Sequence, residues 1–130
     1  MMKTKIIYSN IVIHSTPLEK ITFDIYLIVT FDDVNANRIT KKFINVVGFK
    51  VVDEDVWNYD YMCNEAFYTD KNGNERYIRY IYELLDSEWI DELRKNSEEQ
   101  DSEIFEEKIY HHYILMLGDK ILEVIAEKMN

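Results

Sequence analysis

The residues able to do chemistry in this 130-residue sequence are few: His14, His111, His112, Cys63 and a large set of carboxylates. His111 and His112 are adjacent within a β-rich run, and neighbouring strand residues point to opposite faces. They are therefore not expected to share one ion, and no His-x-x-x-His spacing supplies a helical alternative. The ordinary reading is partly exposed strand histidines, one of which could tune a partner contact near neutral pH. Cys63 lies in Tyr61-Met62-Cys63-Asn64-Glu65, where no base is placed to make a thiolate, so it reads as a small hydrophobe. Asp70-Lys71-Asn72-Gly73-Asn74 opens like a calcium loop. That loop needs Gly at its sixth position and Glu at its twelfth, where this chain has Glu75 and Ile81. The three glycines are isolated and form no phosphate-cradling loop. No carboxylate pair sits in an evidently apolar pocket that would split its pKa values. The expectation is a protein with no catalytic residue, no cofactor and no metal, and not an enzyme.

The carboxylates are unevenly spread. The chain carries a net charge of −10, and residues 83–107 hold eleven acids against Arg94 and Lys95 alone. Phosphate binding needs clustered Lys and Arg, so a nucleic-acid partner is disfavoured. A carboxylate field of this kind attracts a basic protein and speeds its encounter; the plainer reading is a solvated face that maintains solubility. Ten tyrosines and two tryptophans accompany it. Such side chains anchor interfaces, although they also suit sheet faces. The candidate partner-binding residues are Glu83, Asp86, Glu88, Asp91, Glu92, Glu98, Glu99 and Asp101, with Tyr80 and Tyr82 as anchors.

These residues need a scaffold. Ile21, Phe23, Ile25, Leu27, Val29 and Phe31 share one parity over residues 20–31, the pattern of one half-buried strand in an antiparallel sheet. Lys5–His14 reads as a strand before it, and Arg38–Val47 as one after the turn residues Asp32–Asn37. Asp53 is placed to cap a short helix over 53–59. Asn72-Gly73 predicts a hairpin between Glu65–Thr69 and Arg76–Leu84. A helix is expected from Asp86 to about Lys95, with Asp86 as N-cap, Leu85 and Ile90 as a hydrophobic staple, and Trp89 docking it onto the sheet. Lys95–Glu103 reads as a loop. Lys108–Leu117 and Lys120–Lys128, joined by Gly118-Asp119, predict a second hairpin. For 119–129, helix is the competing reading of Ile121, Leu122, Ile125 and Met129. The fold class is thus α+β: an antiparallel sheet of about six or seven strands with one main helix near 86–95.

Hydrophobic residues are 47% and charged residues 31% of the chain, an ordinary globular mixture. No repeat or linker composition divides it, so residues 1–130 are expected to form one domain. A single cysteine closes no intrachain disulfide, and no apolar run approaches the roughly 18 residues of a membrane span. A cytoplasmic protein with no membrane partner is the expectation.

Three stretches carry a resemblance: Val46-Val47-Gly48-Phe49-Lys50-Val51-Val52-Asp53-Glu54, Tyr82-Glu83-Leu84 through Trp89, and His112-Tyr113-Ile114 through Glu123-Val124-Ile125-Ala126-Glu127. Over about half the chain, mostly in apolar framework, it resembles small acidic bacterial proteins of the kind found as immunity proteins in polymorphic toxin systems. The resemblance implies a β-rich α+β domain that binds and inhibits a cognate toxin, and it transfers no catalytic residue. An acidic mimic of nucleic acid, aimed at a phage or host protein, is the alternative on the same electrostatics. A structural or oligomeric accessory protein using a sheet edge is another.

Overall fold

The computed structural model describes residues 3–130. Its strands are β1 (Lys3–Ile6), β2 (Lys20–Phe23), β3 (Leu27–Asp32), β4 (Arg38–Asp53), β5 (Phe67–Thr69), β6 (Glu75–Tyr77), β7 (Ile81–Leu85), β8 (His111–Leu117) and β9 (Lys120–Met129). Two helices, α1 (Glu88–Glu99) and α2 (Ile104–Glu107), lie between β7 and β8. Among the described residues, seven strands form an antiparallel sheet in the order β1-β7-β8-β9-β4-β3-β2, and β5 pairs with β6 in a separate hairpin. The fold is α+β with one main helix.

The β8–β9 hairpin is the centre of the sheet and is buried on both faces. Gly118 takes a φ of +64 in its turn, a conformation that costs a residue without Cβ little. Tyr113, Leu115, Leu117, Leu122, Val124 and Ala126 enter one core with Leu27, Val29, Phe31 and Phe43. Ile114, Met116 and Ile121 enter the other with Trp57, Ala66, Tyr82 and Leu84. Strand pairing thus settles 119–129 as strand.

The expected strand over 20–31 is instead a hairpin. Phe23 pairs with Leu27 and Ile21 with Val29, while Ile25 projects at 80% exposure from the three-residue loop. A loop of three residues puts i and i+4 opposite each other on one face, so the alternation passes through the turn undisturbed.

Lys5–His14 is a strand only as far as Ile6. Beyond it the chain straps one face, with Ile13 N–H donating to Arg79 O (2.8 Å) and Ile13 bridging to Asp33. Arg76–Leu84 divides between β6 and β7, which belong to different sheets. The Asp53 cap is formed, accepting from Asp55 N–H at 3.0 Å, but it starts a single 3-10 turn over Glu54–Val56.

The expected strand over Arg38–Val47 runs on to Asp53 through a bulge between Val46 and Gly48. Asn45 sits at φ +54 beside the bulge and donates to Glu127 Oε1 at 3.1 Å. A bulge inserts one residue and resets which face the following side chains meet. Gly48 consequently lies beneath Trp89, where an added Cβ would come within 3.1 Å of its ring.

The helix begins two residues later than expected and ends four later. Asp86 takes φ +55 ahead of it, and Ser87, not Asp86, is the cap: its Oγ accepts from Ile90 N–H at 3.1 Å. At the other end Asp101 takes φ +55, with Asp101 N–H bonded to Glu98 O and Ser102 N–H to Ser97 O. That is a Schellman closure with aspartate where glycine is usual.

Candidate functional site

The predicted partner-binding residues do not all meet. Tyr82 is fully buried, its ring in the core and its hydroxyl donating to Ile78 O. Burial raises its pKa, and the nearby Cys63 adds to that. As an anchor it is a correction: alternation within β7 turns Tyr82 and Leu84 into the core. Tyr80 is half-buried, edge-on to Tyr82 at 6.2 Å. Glu83 faces away from α1, held by His111 Nδ1 (2.7 Å) and Lys5 Nζ (3.6 Å). It belongs to a different surface.

The other acids do gather. Asp86, Glu88, Asp91, Glu92, Glu98, Glu99 and Asp101 are exposed on α1 and its flanks. Glu98, Asp101, Glu103 and Glu106 surround a depression of about 330 Å³ between α1 and α2. Arg94 binds Asp91 at 3.2 Å, and the last turn of α1 contains no basic residue. Carboxylates there oppose the negative end of the helix dipole and cost stability.

At the other end of α1 the structure assembles a polar chain. Ser87 Oγ lies 2.6 Å from His112 Nδ1, and His112 Nε2 lies 2.7 Å from Glu123 Oε1. Glu123 Oε2 accepts from Trp57 Nε1–H at 3.3 Å and lies 3.7 Å from Lys50 Nζ. Ser87, His112 and Glu123 are 5%, 2% and 4% exposed. His112 thereby bridges Ser87 and Glu123, one ring nitrogen to each. Burial alone would raise the Glu123 carboxyl; the hydrogen bond and charge of His112, the Lys50 charge and the Trp57 N–H outweigh it and hold the pKa below its usual value.

This chain floors a cleft of about 490 Å³ between α1 and the 3-10 turns after β4. Trp57, Trp89 and Tyr61 contribute its aromatic walls, and Glu88 and Glu92 bring the acidic helix face to its rim. Lys50 Nζ lies over the Trp89 ring, 4.6 Å from its centroid. By the 1.5 Å rise per residue, α1 carries the acidic surface about 15 Å from Glu88 at this cleft to Glu98 at the depression.

Sequence reasoning separated His111 from His112 correctly: they reach Glu83 and Glu123 on opposite faces. Ser87 and Glu123 were missed. The available signal was Glu123 itself, a lone acid in the apolar run Ile121–Ala126, since a buried charge requires partners. Asp70 spends its carboxylate on Asn72 N–H, Asn74 N–H and Arg76 Nε within the β5–β6 turn. Among the described residues, no group of three or more His, Cys, Asp or Glu is arranged to hold a metal ion, and no helix is long and apolar enough to cross a membrane.

Compared with models of protein families, with curated proteins and with solved structures, the chain matches none.

Proposed function

We propose that this protein is a stoichiometric binding module for a basic protein, of the immunity type that inhibits a cognate toxin. One observation carries the reading: Glu98, Glu99 and Asp101 are exposed at the C-terminal end of α1, where the helix dipole opposes them and the last turn holds no basic residue. Charge kept at a cost to folding has its use elsewhere. The acids steer a basic partner toward α1, and the aromatic cleft at its N-terminal end supplies the desolvated contact that slows release. The three stretches that carry the family resemblance each lend side chains to that cleft: Lys50 from the first, Ser87 and Trp89 from the second, His112 and Glu123 from the third.

The test uses the purified product of the gene adjacent to this one. Its association rate should fall at least about tenfold between low and physiological salt. Neutralising Glu98, Glu99 and Asp101 together should reproduce much of that fall. An association rate indifferent to both sinks the proposal.

A second reading, a small serine hydrolase, rests on the Ser87–His112–Glu123 order, which is that of a catalytic triad. Against it, Ser87 bonds Nδ1 rather than the Nε2 of the template, and its oxygen is spent on Ile90 N–H as a helix cap. A fluorophosphonate separates the two. The binding reading expects the intact mass unchanged; an adduct on Ser87 establishes the hydrolase.

A further inference from the structure

We infer that the cleft at the start of α1 is a receptor for an arginine side chain of the partner, and that Lys50 holds its place in the free protein. The inference rests on the proposed binding of a basic protein and names the contact. Lys50 Nζ is 4.6 Å from the Trp89 ring centroid and 3.7 Å from Glu123 Oε2. A cation over an indole and beside a carboxylate is how proteins receive guanidinium and ammonium groups.

The charges complement such a guest. Glu92 and Glu123 line the cleft beside Lys50, so carboxylates are in place to receive a cation. Lys50 is weakly held: its side chain is 50% exposed, and its ammonium gains by returning to water. Guanidinium is less strongly hydrated, stacks flat on an indole and binds carboxylates through two parallel N–H groups. It is therefore suited to displace the ammonium. The volume, about 490 Å³, lies within the roughly 300–1,000 Å³ range of pockets that enclose small guests.

Trp57 and Trp89 are the two tryptophans of the chain, and both line this cleft. Intrinsic tryptophan fluorescence thus reports on the site directly. The experiment titrates full-length protein with a short acetylated, amidated peptide containing one arginine, and with its lysine and citrulline counterparts. The arginine peptide should change the tryptophan emission saturably, bind several-fold more tightly than the lysine peptide, and outcompete citrulline entirely. Lys50→Met should tighten arginine binding by about fivefold, the release of one competing exposed cation–π contact. Glu92→Gln should weaken it by a similar factor. A variant damaged in folding would lose affinity, so the gain expected of Lys50→Met cannot be imitated by instability.

Equal binding of arginine and lysine peptides, or Lys50→Met without effect, overturns the inference. Its failure is distinct from that of the wider proposal. A toxin whose association depends on Glu98, Glu99 and Asp101 but ignores Lys50→Met and Glu92→Gln keeps the binding function and removes this contact.

Discussion

Ser87 does two jobs with one hydroxyl, capping α1 through Ile90 N–H and satisfying His112 Nδ1. Ser87→Ala removes a cap worth about 1 kcal/mol and leaves a buried ring nitrogen unpaired at a further cost of about 1–3 kcal/mol. A total loss of about 2–4 kcal/mol is expected in denaturant unfolding, with hydrogen exchange rising first at the start of α1. Glu123 fixes the sign of the acid dependence. Its folded pKa lies below the usual carboxyl value of 4.5, so its contribution is complete above that pH and is lost as pH falls through the lower folded value. Wild-type stability should decline in that window, and Glu123→Gln should flatten the decline while lowering stability at neutral pH. Neither role was legible beforehand. Ser87 follows Asp86, an equally good cap by residue type, and only the backbone at Asp86 decides between them. His112 and Glu123 are brought together by strand register, which residue spacing does not contain.

The elements themselves were more legible than their limits. Asn72-Gly73 and Gly118-Asp119 marked two real hairpins because their turns demand particular residues. The β2–β3 turn carries Asp24-Ile25-Tyr26 and keeps the parity of its flanks, so periodicity passed over it. The end of α1 was hidden for a related reason: Asp101 occupies a left-handed position that glycine would advertise. Asp101→Gly should stabilise the protein by about 1 kcal/mol, relieving that conformation and removing a carboxylate from the negative helix end. A higher melting temperature together with slower association of the proposed basic partner would support a role for this charge in binding. Gly48 makes the opposite case. Gly48→Ala sets a methyl 3.1 Å from Trp89, and the helix must shift by tenths of an ångström; a loss of about 1–2 kcal/mol is expected, with altered tryptophan emission.

At the scale of the whole molecule, the acidic face and the core can be varied independently. Neutralising Glu98, Glu99 and Asp101 together touches no buried group and relieves repulsion along α1. Unfolding should show stability unchanged or raised by up to about 1 kcal/mol, while association slows. A protein whose acids served only its own folding would respond in the reverse direction. Composition announced this asymmetry, and alternation announced an antiparallel sheet with a helix on it. The cleft was not announced, because its walls come from β4, the turns after it, β7, α1, β8 and β9, and no local pattern spans six elements.

The order of strands in the sheet also governs when the molecule comes into being. β2, β3 and β4 can form a meander as they emerge, and β1 waits for β7, yet within the sheet the two halves join only through β8 and β9, which follow every other strand in sequence. A nascent chain halted before His111 therefore lacks the central hairpin of the sheet, the His112–Glu123 bond and the His112 ring against Trp89. Such ribosome-bound fragments should remain open to protease until the β8–β9 hairpin emerges and closes the sheet.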